Sequence, residues 1–66
     1  MNLRLNGTTR TAADGATVAD VVATLTSASS GVAVAVNGEV VPRGEWPTTP
    51  LRDGDQLEVL TASQGG

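Results

Sequence analysis

TVADVVATLTS, residues 17–27, is where the chain changes its period. Val18, Val21, Val22 and Leu25 fall at i, i+3, i+4 and i+7, which lines one face of a helix with apolar side chains. Thr17 is a good N-cap, and Asp20 places a carboxylate in the electropositive first turn. Valine is a mediocre helix former, so this segment needs a surface to pack against in order to persist. What that surface is must be read from the flanking residues.

On the N-terminal side the period is two. Met1, Leu3 and Leu5 alternate with Asn2, Arg4 and Asn6, the signature of a half-buried strand. Asn6-Gly7 supplies the positive-φ pair of a tight hairpin, with a return strand at about Thr8 to Ala12 and a closing turn at Asp14-Gly15. After SASSG the chain reads VAVAV, residues 32–36, with valines toward one face and alanines toward the other. Asn37-Gly38 is a second hairpin signal, and Val40-Val41 a short partner strand. Pro42 has no amide donor, which places that strand at an edge. PRGEWPTTPL reads as an irregular connection held by three prolines. Asp53-Gly54-Asp55 turns into a last strand, Gln56 to Thr61, with Leu57 and Val59 facing inward. One helix among these strands implies an α+β fold: a mixed sheet of four to five strands with the helix across one face.

The 66 residues are enough for one domain, 1–66, and for burial of about 60% of the unfolded surface. There is no cysteine or histidine, which excludes disulfides, thiol chemistry, Cys/His zinc sites and imidazole catalysis. Four arginines, no lysine and seven acidic residues give a net charge of −3, the wrong sign for nucleic acid. The opening MNLRLNG reads as a strand rather than a secretion signal, and no run reaches the length of a membrane span. A cytoplasmic protein is expected.

Few residues can carry chemistry. Asp53 and Asp55 are a close carboxylate pair with no further oxygen ligands at metal-binding spacing, so they read as turn residues and no metal is expected. No phosphate-loop pattern occurs, and no base is present to activate a serine or threonine. No catalytic residue is therefore expected. Trp46, the sole aromatic, either covers one end of the core or anchors a partner contact. Arg43 is either a solvated edge charge or a contact for an acidic partner. Leu60 alternates away from Leu57 and Val59, and Ala33 and Ala35 point the same way. If their strands are neighbours, a flat apolar patch lies open beside the C-terminal tail, in the manner of a docking site.

The remaining reactive group is the terminal carboxylate, ionised at neutral pH with a pKa of about 3.5. The chain ends TASQGG, and residues 62–66 read as a flexible tail spanning roughly 17 Å when extended. Two glycines give it a tip slim enough to enter a partner's cleft, where ATP could convert the carboxylate to an acyl-adenylate.

The strand–hairpin–helix order, the VNGEVVPRGEW segment, the LRDGDQLEVL approach to the last strand and the terminal Gly-Gly together resemble the ThiS family, sulfur carriers of thiamine biosynthesis. The resemblance covers essentially the whole chain, and VPRxxW after an Asn-Gly turn is its most specific part. It implies a β-grasp, ubiquitin-like fold. It also implies that Gly66 is the modified residue: adenylated by a ThiF-like, ATP-dependent enzyme, converted to a thiocarboxylate with sulfur from a donating enzyme, and presented to a ThiG-like thiazole synthase. Gly65, Gln64 and Ser63 would enter the partner, with Leu60 in the docking surface. Ser63 departs from the apolar residue common among relatives. The carrier would bind no cofactor of its own, since ATP belongs to the activating partner. A carrier for molybdopterin or cysteine synthesis, or a ubiquitin-like protein modifier, would use the same end group.

Overall fold

A computed structural model describes residues 1–28 and 30–62. In chain order the elements are β1 (Asn2–Leu5), β2 (Thr8–Thr11), α1 (Val18–Ala23), β3 (Val32–Val36), β4 (Glu39–Val41), a 3₁₀ segment (Arg43–Thr48) and β5 (Gln56–Thr61). The strands form one mixed sheet in the order β2-β1-β5-β3-β4. β1 and β5 run parallel at its centre, and the other neighbours are antiparallel. This is the α+β, β-grasp architecture expected from the sequence.

Both hairpins turn as their residues dictate. Asn6 and Asn37 have φ of 49° and 51°, and Gly7 and Gly38 have φ of 83° and 85°, so two consecutive left-handed residues close each two-residue loop. That geometry matches the right-handed twist of the strands it joins. It also sets register: a two-residue loop at Asn37-Gly38 puts Val36 opposite Glu39 and Ala35 opposite Val40.

The helix is shorter than its apolar spacing suggests. Thr17 accepts from the Asp20 amide at 3.3 Å while the Asp20 carboxylate accepts from the Thr17 amide at 2.9 Å, a reciprocal capping box. At the other end the Thr24 hydroxyl donates to the Val21 carbonyl at 2.7 Å, and the Thr24 and Leu25 amides reach back only three residues. The regular helix stops at Ala23, and Leu25 keeps its apolar contact from the tightened turn that follows.

The segment PRGEWPTTPL is not irregular throughout: Arg43–Thr48 winds into 3₁₀ turns with Pro47 inside. Trp46 is thereby carried into the core, 5% exposed, where its indole N–H donates to the Val41 carbonyl at 2.9 Å. A buried indole needs such a partner. Leu51, also 5% exposed, joins it beneath the helix start, where Leu51 N donates to Ala16 O and Val18 N to Thr49 O, both at 3.0 Å. The core is completed by Leu3 and Leu5 of β1, Val18, Val21 and Val22 of α1, Val34 of β3, and Leu57 and Val59 of β5. Each such Leu or Val contributes roughly 1.5–3 kcal/mol by leaving water. No buried side-chain polar atom among the described residues lacks a hydrogen-bond partner.

Candidate functional site

With α1 and the 3₁₀ segment covering one face, the other face of the sheet is open. On β3 and β5 the register places Ala33 opposite Leu60, Val34 opposite Val59 and Ala35 opposite Glu58. Paired residues share a face, so Leu60, Ala33, Ala35 and Glu58 all lie on the side away from the helix. The two strands are neighbours, as the patch expected from the sequence requires. Leu60 is 68% exposed, Ala33 is exposed and Ala35 half-buried.

The patch is wider than the sequence reading made it. Val40, opposite Ala35 across the β3–β4 hairpin, is 77% exposed and extends the apolar strip onto a third strand. Val40 and Leu60 are the large apolar side chains left exposed among the described residues. The signal for Val40 was present, because the two-residue Asn37-Gly38 loop pairs it with Ala35. Glu58 interrupts the strip with one negative charge and makes no ion pair within the described residues, where the salt bridge found joins the Met1 amino group to Asp14 at 3.3 Å. A partner surface with apolar side chains and one basic group would match this face.

The base of the tail borders the same patch. Thr61 pairs with Val32, and the Ala62 amide donates to the Gly31 carbonyl at 2.6 Å, one rung past the end of β5. A shallow depression lined by Gly31, Val32, Ala33, Leu60, Thr61 and Ala62 joins this rung to the apolar strip. Ser63, Gln64, Gly65 and Gly66 lie outside the described residues.

Arg43 and Trp46 fall elsewhere. Both line a groove with Ala19, Val22 and Ala23 on the helix side. The Arg43 guanidinium sits 4.9 Å from the centre of the Trp46 ring, and that stacking covers one side of the indole. Of the two readings for Trp46, its burial corresponds to the core one. The carboxylates of Asp53 and Asp55 are occupied by backbone and turn contacts: Asp53 accepts from Asn2 N at 2.6 Å, and Asp55 from Arg52 N at 2.8 Å and Asn37 Nδ2 at 3.0 Å. No cluster of three acidic residues that could hold a metal is found among the described residues. No helix among them is long and apolar enough to cross a membrane.

Known proteins share both the sequence and the architecture. The ThiS family model matches residues 3–66. A sulfur carrier protein ThiS from Escherichia coli is 32% identical over 66 residues, the whole of both chains. One from Thermus thermophilus is 42% identical over 62 residues, covering 94% of this chain and 95% of the relative. A crystal structure of a thiamine biosynthesis protein (ThiS) from Geobacter metallireducens superposes with a TM-score of 0.80 at 36% identity, covering 100% of both chains. A solution structure of a thiamine biosynthesis protein from that organism gives 0.83 at 36% identity, over 100% of this chain and 88% of the other. A β-grasp sheet with an apolar strip beside its last strand, in a chain that the family model matches over residues 3–66, places this chain in the ThiS family.

Proposed function

We propose that this protein is a sulfur carrier for thiamine biosynthesis, acting in the cytoplasm as a cosubstrate of other enzymes. The observation that carries this reading is the family match over residues 3–66, which takes in the terminal Gly65-Gly66. The relatives named as sulfur carriers span the same length, so the likeness is to whole proteins.

In the proposed cycle a ThiF-like enzyme holds ATP, and a carboxylate oxygen of Gly66 attacks the α-phosphorus. Pyrophosphate leaves, and the acyl-adenylate that forms has a good leaving group on its carbonyl carbon. Hydrosulfide, sulfur already at the sulfide level when released by a donating enzyme, attacks that carbon; the C–O bond to AMP breaks, AMP and a proton depart, and Gly66 ends as a thiocarboxylate. A ThiG-like thiazole synthase then receives the sulfur. The carrier's own contribution is presentation. Leu60, Ala33, Ala35 and Val40 offer an apolar strip for docking, and Ser63, Gln64 and Gly65 enter the partner without bulky side chains at the tip. With neither histidine nor cysteine in the chain, the acid–base and sulfur-transfer steps fall to the partners.

The test is intact-mass spectrometry after incubation with an activating enzyme, ATP and a sulfur source. The expected product has one terminal oxygen replaced by sulfur, and removal of Gly66 abolishes it while the melting curve stays unchanged. An unaltered mass with an enzyme that loads another ThiS protein overturns the reading. Attachment to lysines of other proteins, seen as higher bands on a denaturing gel, would assign the chain to protein modification instead.

A further inference from the structure

The β3–β5 ladder does not end with β5. Its last strand pair is Val32 with Thr61, yet one more hydrogen bond follows, from Ala62 N to Gly31 O at 2.6 Å. Gly31 sits at the entry to β3 with φ of 73°, a left-handed conformation that costs a side-chain-bearing residue stability. The rung lies two residues beyond Leu60 and two before Ala33, and these four residues line the same shallow depression. A backbone hydrogen bond thus joins Ala62 to the same sheet that carries the apolar strip.

We propose that the Ala62–Gly31 hydrogen bond is a positioning contact for the chemistry at the tail. It fixes the backbone at Ala62, the last described residue, relative to the docked face. The inference rests on the sulfur-carrier reading. Its physical content is orientation: once the apolar strip is seated on a partner, the terminal carboxylate must search for the ATP. A base held by a backbone rung restricts that search, and a loose base enlarges it and lowers the effective concentration of the end group. Docking affinity itself comes from the side chains of Leu60, Ala33, Ala35 and Val40, which a substitution at Ala62 leaves in place.

This separation gives the test. Ala62→Pro removes the amide donor, and proline tolerates the end of a strand because the residue before it prefers extended backbone. Ala62→Ser keeps the donor and serves as the control. Pyrophosphate release by the ATP-dependent activating enzyme is measured against carrier concentration for the three proteins, with Trp46 fluorescence melting to verify the fold. The expected result is a kcat for Ala62→Pro lower by about three- to tenfold, a KM within about twofold, and wild-type values for Ala62→Ser. Equal kcat for the proline and serine variants, or a raised KM with kcat intact, overturns the positioning role. Failure of the wild-type chain to support pyrophosphate release strikes the sulfur-carrier reading instead. Hydrogen exchange of the wild-type protein is a second readout that needs no variant. The Ala62 amide should be protected as the neighbouring β5 amides are, and exchange at the rate of an unstructured chain removes the proposal's basis.

Discussion

The carboxamide of Asn6 pairs with both backbone groups of Val59: Nδ2 donates to the carbonyl at 3.1 Å, and Oδ1 accepts from the amide at 2.9 Å. Up to that point β1 and β5 are joined by main-chain bonds, Arg4 N to Asp55 O and Asn6 N to Leu57 O. There β1 turns away into its hairpin, and the Asn6 side chain supplies the next rung in its place. Asn37 does the same on the opposite flank, where Oδ1 accepts from Gln56 N at 3.0 Å. The strand that leads to the tail is held from both sides by the asparagines of two Asn-Gly turns.

Asn6→Ala should therefore destabilise the protein beyond the loss of a surface residue. It leaves both Val59 groups partly buried without partners, and at φ of 49° alanine is less well tolerated than asparagine. The expected loss is about 1–3 kcal/mol, measured as a lower denaturation midpoint at unchanged slope. Asn37→Ala, whose partners are exposed, should cost less in the same experiment.

Val22→Asp should abolish folding. Val22 is 5% exposed on the helix face against the sheet, and among the described residues no buried polar or charged side chain is found that could compensate a carboxylate there. A domain of this size has roughly 3–10 kcal/mol of stability, which an unpaired buried charge can consume entirely. A cooperative thermal transition near the wild-type temperature would show that this face is not the packed one.

Trp46 carries two separable contributions. Trp46→Phe keeps an aromatic ring in the core but removes the indole hydrogen bond to the Val41 carbonyl, for an expected loss of about 0.5–1.5 kcal/mol. Trp46→Ala adds a cavity and should cost about 3–5 kcal/mol. Far-ultraviolet circular dichroism is the suitable readout, because both substitutions remove the only intrinsic fluorophore of this kind. Arg43→Ala, which removes only the exposed stacking contact, should stay within about 1 kcal/mol.

Leu60→Ser and Val40→Ser separate docking from folding. Both side chains are more than half exposed, so each substitution should change stability by less than about 0.5 kcal/mol. In the activating-enzyme assay Leu60→Ser should raise the carrier's KM by about tenfold, the equivalent of 1.4 kcal/mol, with a smaller rise for Val40→Ser. An unchanged KM for both would remove this face of the sheet from the docking surface.

Much of this was legible in the chain. Alternation in MNLRLN and VAVAV assigned strand faces, because a pleated strand alternates its side chains by geometry alone. Two Asn-Gly pairs announced two hairpins, and Thr17 with Asp20 marked the helix start. The helix end was not legible, because the apolar spacing runs on to Leu25 while the Thr24 hydroxyl competes for a backbone carbonyl. The burial of Leu51 was hidden as well. It stands alone between Pro50 and Arg52, with no periodic neighbours to mark an inward face.

The division follows from the range of the forces involved. Turn chemistry, side-chain alternation and capping act over a few residues, so the sequence by itself determined the strands, their faces, the two hairpin turns and the helix start. Strand order, the placing of Leu60 beside Ala33, and the pairing of Asn6 with a residue 53 positions away were decided by tertiary structure. They arise only when the helix stripe and the inward faces of the strands bury one another and bring β5 between β1 and β3.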